Sequence, residues 1–158
     1  MSKTSKTLYF FLAIIFFTIF DCYFSEQLMQ IGFRLSENPI LSIVFVKNEG
    51  AAFNILQGSK IFLITFSAVA ISAIILSIIK KIRNISTIGL FFSAMLTSGI
   101  LVNMFERIIF GYVRDFIKLN FIDFPIFNIS DIFINISVFV IVIIIIKNNY
   151  FKNNETKN

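Results

Sequence analysis

The chain has 158 residues, 57% of them hydrophobic, and a net charge of +5. That is one domain's length, and the composition belongs to the membrane class rather than to a soluble globule. There is no histidine and a single cysteine, which excludes Ser-His-Asp and Cys-His nucleophiles, HExxH zinc sites, histidine-ligated haem and an internal disulfide; no metal, cofactor or nucleic-acid partner is expected.

The first apolar run, Thr7–Phe24, is predicted to span the bilayer, whose core of about 30 Å needs about 20 helical residues. Lys3, Lys6 and then Cys22 resemble the start of a lipoprotein precursor, but Phe20 and Asp21 precede the cysteine where cleavage needs small residues. The run is therefore read as a retained helix, with Cys22 a small buried apolar side chain. Next, Ile40–Val46 is short, β-branched and aromatic, and is bounded by Asn38-Pro39 and by Asn48-Glu49-Gly50. That pattern predicts a strand and a turn. Ile61–Ile79 is the second span and Ile85–Phe105 the third.

The third span ends with Gly99, Asn103 and Arg107 four apart and Glu106 three from Asn103, roughly one helical face. Gly99 lets another backbone come close. Asn103 lies where an unsatisfied amide is expensive, so it faces the bundle interior, as helix–helix glue or as part of a site. Arg107 taken alone fits a snorkelling interfacial cation. Tyr112–Lys118 alternates weakly and suits a second short strand. The fourth span covers Ser130–Lys147, with Ser130 the better cap by position and Asp131 left free; the tail Asn148–Asn158 is polar and expected to fray. The fold class is a mainly α membrane protein, a single domain over 1–158 with four transmembrane helices beneath a small outward-facing β-sheet and loop cradle.

Charge sets the orientation. Lys3, Lys6, Lys80, Lys81, Arg83, Lys147, Lys152 and Lys157 share one side with Glu155 alone, while the opposite connections carry more acids than bases. By the positive-inside rule both termini are cytoplasmic, and the loops Ser25–Lys60 and Glu106–Ser130 face outward.

Two acids stand at that outer surface. Asp131 taken alone suits a helix cap or dipole partner, and Asp115 a solvated acid beside Arg114. As a close pair without histidine they would share a proton, and their pKa values would separate. One would then activate water and the other protonate the peptide carbonyl and assist the leaving amine. The residues by themselves equally suit a small proton-coupled transporter subunit, because transporters also place acids at depth; a structural or adaptor membrane protein is the blander alternative.

Four ordered blocks carry a resemblance to the bacterial lipoprotein signal peptidase family, signal peptidase II. They are N-x-G-x-A-F (Asn48, Gly50, Ala52, Phe53), the glycine- and asparagine-containing end of the third helix (Gly99, Asn103, Arg107), V-x-D-F (Val113, Asp115, Phe116) and F-P-x-F-N (Phe124, Pro125, Phe127, Asn128) running into Asp131. The resemblance implies an aspartic endopeptidase of the bacterial inner membrane, with its active site on the outer side. It would act on diacylglyceryl-modified prolipoproteins, cutting before the lipidated cysteine, and work as a monomer among membrane lipids. It assigns catalysis to Asp115 and Asp131, and substrate-binding or supporting roles to Asn48, Asn103, Arg107, Asn128 and Asp21. This chain departs from the family pattern at Glu106 (aspartate), Val102 (glycine), Ser130 (alanine) and Ser25 (lysine).

Overall fold

A computed structural model describes residues 1–31, 39–50 and 56–155, with side chains described for all of these except 31 and 149–155. In chain order the elements are α1 (Lys3–Ile31), β1 (Leu41–Asn48), α2 (Lys60–Lys81), α3 (Thr87–Phe110), β2 (Val113–Leu119) and α4 (Ile129–Glu155). All four helices contain a stretch long and apolar enough to cross a membrane.

Helix α3 is the axis of the bundle, packed by α1, α2 and α4. Its buried face is rich in small residues, including Gly89, Ser93, Ala94, Ser98 and Gly99, and these allow close backbone approach where apolar burial alone gives no drive to associate. At Gly99 a Cβ would stand 2.7 Å from the Ser130 carbonyl oxygen and 2.9 Å from Ile134 Cγ1, so α3 and α4 meet there on the strength of a missing side chain. Hydroxyls on the same helix find partners within it and across to α1: Thr97 donates to the Ser93 carbonyl at 2.7 Å, and Ser98 pairs with Thr18 of α1 at 3.0 Å. Helix α2 buries Leu63 and Ile78 and turns Ile61, Phe62, Phe66, Val69 and Leu76 outward, as a lipid-facing helix should.

Two apolar clusters fill the bundle. One, around Phe10, Ile14, Ile78, Ile82, Leu90 and Ala94, packs the end near both the chain start and the α2–α3 connection. The other joins Phe17, Met95, Ile129 and Phe133 of the helices to Ile43, Phe116 and Ile117 of the strands, fixing the sheet to the opposite end of the bundle. Strands β1 and β2 are antiparallel, with Ile43 facing Ile117, Val46 facing Asp115 and Asn48 facing Val113. Between the first two pairs β1 has one residue more than β2, a bulge that bends the strand and re-aims its last residues. On its other edge β2 meets Phe127, whose N–H donates to Ile117 O and whose carbonyl accepts from the Ile117 and Phe116 N–H groups.

The structure moves several element ends. α1 continues past Phe24 to Ile31, because Ser25–Gln30, though more polar, contain no helix breaker. α3 begins at Thr87, with Ser86 accepting from Gly89 N–H as its cap. It passes the charged pair Glu106–Arg107 and stops only at Gly111, whose left-handed φ of 90° closes the helix. The helical backbone of α4 runs through the expected frayed tail as far as Glu155. Cys22 is exposed rather than buried: it follows Ile19, itself exposed, by three residues on α1's outer face. In a membrane span an apolar side chain needs no core.

Candidate active site

Asp115 and Asp131 come from β2 and α4, and one asparagine joins them. The Phe127 contact with β2 lays Asn128 beside Asp115, and the side-chain Nδ2 of Asn128 donates to Asp115 Oδ1 at 2.9 Å. The same nitrogen donates to Asn103 Oδ1 at 3.1 Å, and Asn103 Nδ2 donates to Asp131 Oδ1 at 3.0 Å. Asn128 also caps α4: its Oδ1 accepts from Asp131 N–H at 2.9 Å, and its own N–H donates to Asp131 Oδ2 at 3.1 Å. This reciprocal exchange is a capping box built from Asn and Asp. Each carboxylate of the pair therefore accepts two N–H groups, because Asn48 Nδ2 donates to Asp115 Oδ2 at 2.8 Å.

The supports continue outward. Asn48 ends β1, and its Oδ1 accepts from Gly50 N–H at 3.0 Å, an Asx-type turn that locks the amide's direction. Among the described residues Arg107 makes its hydrogen bonds to backbone carbonyls rather than to either aspartate. Its Nη2 donates to Gly50 O at 2.7 Å and its Nη1 to Asn103 O at 3.1 Å, tying the turn after β1 to α3. It thus fastens the amides that hold the acids. Ala52 and Phe53 of the first sequence block lie outside the described residues.

Both aspartates, with Asn48, Asn103 and Arg107, line one cavity of about 430 Å³, walled by Val46, Phe124, Pro125, Phe127 and Ile134. Asp115 is only 2% exposed. Burial lifts its carboxyl from the ordinary 3.8 to about 7; the Asn48 amide opposes this, the Asp131 charge adds to it, and the Asn128 amide and Arg107 charge oppose it. Among the described residues there is no group of His, Cys, Asp and Glu side chains arranged to hold a metal ion.

Asp21 stands apart from this cluster. It is 1% exposed and accepts from Ser25 Oγ at 2.9 Å and from Ser130 Oγ. Ser130 is accordingly not the α4 cap but an α1–α4 tie, one residue before Asp131. The two serines, each a departure from the family pattern, converge on one buried acid: two hydroxyls serve Asp21 from positions where the family pattern has lysine and alanine. Glu106 likewise has a partner that its sequence position did not reveal. It accepts from the Arg114 backbone N–H and Nε, both at 2.7 Å, and pairs with Nη2 at 2.7 Å, while Arg114 lies over the Phe110 ring at 4.8 Å. Adjacent strand residues point to opposite faces, so this clamp on Arg114 pins β2 from behind while Asp115 faces the cavity. The signal missed in the sequence was the Asn128–Asp131 spacing of three, which is that of a capping box.

The bundle, sheet and carboxylate–amide cavity define a polytopic membrane enzyme, and comparison with known proteins narrows the class. Residues 7–147 match the family model described as signal peptidase (SPase) II. The lipoprotein signal peptidase of Buchnera aphidicola subsp. Schizaphis graminum is 36% identical over 156 residues, covering 92% of this chain and 97% of its own length. That of Streptococcus thermophilus strain CNRZ 1066 is 32% identical over 108 residues, 68% of this chain and 70% of its own. A solved bacterial membrane enzyme superposes with a TM-score of 0.77 at 29% identity, covering 89% of this chain and 88% of the other. The chain belongs to the signal peptidase II family and is a membrane peptidase.

Proposed function

We propose that the protein is an aspartic endopeptidase that removes signal peptides from diacylglyceryl-modified prolipoproteins of the bacterial inner membrane, cutting before the lipidated cysteine. The observation that carries this is Asn128, which hydrogen-bonds both Asp115 and Asp131, the two acids that line a single cavity. Two carboxylates so joined share one proton, since two close negative charges do not persist together. Asp115, with a carboxyl that titrates near 7, is the protonated member. Asp131, at the N-terminus of α4 where the helix dipole favours an anion, is the base.

In the first step Asp131 takes a proton from water as the water oxygen bonds to the scissile carbonyl carbon. Asp115 gives its proton to the carbonyl oxygen, leaving a neutral gem-diol. The C–N bond then breaks: Asp131 returns its proton to the leaving nitrogen, and one gem-diol hydroxyl returns a proton to Asp115 as the carbonyl re-forms. The enzyme ends as it began, and one water is consumed. Asn48, Asn103 and Asn128 hold the carboxylates in register throughout, and Arg107 holds the amides.

The purified protein, given a lipidated prolipoprotein, should release the signal peptide, with product masses that place the cut before the modified cysteine. Asp115→Asn and Asp131→Asn should each nearly abolish release, and the double variant should be no worse than either, because the acids act as a unit. Substantial cleavage by a folded single variant would remove that residue from the pair.

A further inference from the structure

The dyad and its braces leave one polar side chain of the cavity without a role. Asn135 lies on α4 one turn beyond Asp131, about 6 Å further along the helix axis, in the run Ile132-Phe133-Ile134-Asn135-Ile136. It is exposed, yet it lines the cavity beside Ile134. Its Nδ2 donates to the Asp131 carbonyl at 2.8 Å, which occupies one of the two N–H groups of the amide. Among the described residues that is its hydrogen bond, so the second N–H is available to a ligand.

An amide in that place needs an explanation. α4 crosses the membrane, and a polar group left unsatisfied in an apolar surrounding costs about 1–3 kcal/mol. Isoleucine, which α4 uses freely, would avoid the penalty. Polar groups at such depth mark a substrate path. The apolar walls of the cavity, among them Ile134, Ile126 and Phe124, offer no side-chain donor, so a ligand acceptor one turn beyond Asp131 has Asn135 to meet.

The proposed substrate supplies such an acceptor, and this inference rests on that proposal. With the scissile carbonyl at the dyad, the cysteine thioether and glycerol carbons descend along α4 over a length comparable to one helical turn. The first polar atoms below the peptide are then the glyceryl ester carbonyls, which accept hydrogen bonds and donate none. We propose that Asn135 gives its second amide N–H to an ester carbonyl of the substrate's diacylglyceryl group and so helps to distinguish lipidated from unlipidated cysteine.

The test compares native protein, Asn135→Leu and Asn135→Thr on a diester-linked prolipoprotein and on its diether analogue, which lacks the ester carbonyls. Threonine retains a hydroxyl that bonds the carbonyl four residues back but has no second donor, so it separates a helix-internal role from a ligand-binding one. One neutral hydrogen bond predicts a KM for the diester substrate raised roughly three- to tenfold in both variants, with kcat little changed. On the diether analogue all three proteins should behave alike. Native KM in Asn135→Leu on the diester substrate, equal losses on both substrates, or a native-like Asn135→Thr beside a defective Asn135→Leu would each overturn the assignment. If the native protein cuts neither substrate, the peptidase proposal fails first and takes this assignment with it, an outcome recognisable because every variant shares it.

Discussion

Asp115 owes its raised pKa to burial, against which the Asn48 and Asn128 amides and the Arg107 charge pull downward, and each neighbour gives a signed expectation. Its ordinary value is 3.8 and burial carries it to about 7, so kcat/KM should fall as pH rises through about 7 and the acid form is lost. The Asn48 amide favours the charged carboxylate. Asn48→Ala should therefore lower the rate by roughly ten- to a hundredfold, the loss of a hydrogen bond to a charged group, and move the alkaline limb upward; a downward move would contradict this. Stability follows the same sign. The folded state keeps the proton up to about pH 7, whereas an unfolded aspartate releases it near 3.8. That contribution is full below 3.8 and disappears as pH approaches 7, and it should be missing from the melting profile of Asp115→Asn. Asp21 makes a second case. Ser130→Ala withdraws one of its two hydroxyl donors and should destabilise the protein by about 1–3 kcal/mol. Adding Ser25→Lys, which restores the lysine of the family pattern, should recover much of that loss by pairing the acid. Denaturation midpoints of the two single variants and the double variant measure this coupling, and strict additivity would show that the two positions do not share Asp21.

At the scale of elements, the site depends on how α4 is seated. Gly99 of α3 is the seat, because a Cβ there would stand 2.7 Å from the Ser130 carbonyl, one residue before Asp131. Gly99→Ala should push the start of α4 away and carry Asp131 from its partners. Misplacement of reacting groups by about 1 Å costs on the order of 100-fold, so kcat/KM should fall by about that much while the protein still inserts; unchanged kinetics would mean that α4 shifts without dragging Asp131. This contact was legible in the sequence as the Gly99–Asn103–Arg107 spacing, since helical periodicity reports which residues share a face. The four spans were legible for a similar reason: a bilayer demands about 20 apolar residues wherever it is crossed. Helix ends were not, because α1, α3 and α4 all continue through polar residues that break nothing, and only Gly111 gives α3 a firm stop. The β1 bulge and the Phe127 contact that delivers Asn128 to Asp115 were hidden as well. Both are pairings between distant segments, and local pattern carries no record of register.

For the whole molecule, the distribution of charge decides which way the bundle faces. The dyad and sheet sit at one end, while at the other Lys6 Nζ donates to the carbonyls of Arg83 at 3.0 Å and Ile85 at 2.7 Å. The chain start and the α2–α3 connection are therefore on the same side. That side gathers Lys3, Lys6, Lys80, Lys81 and Arg83, and short loops rich in Lys and Arg stay cytoplasmic. Both termini should accordingly be cytoplasmic, with the dyad at the outer surface, where an exported prolipoprotein would present its cleavage site. Reporter fusions after Asn158 should behave as cytoplasmic, and a reporter inserted at Gly58, between β1 and α2, as external. Replacing Lys80, Lys81 and Arg83 together by glutamine should weaken this preference and yield a mixed population, whereas removing Lys118 from the sheet side should not. An external reporter at Asn158 would invert the molecule, place Asp115 and Asp131 in the cytoplasm, and separate them from any substrate presented at the outer surface.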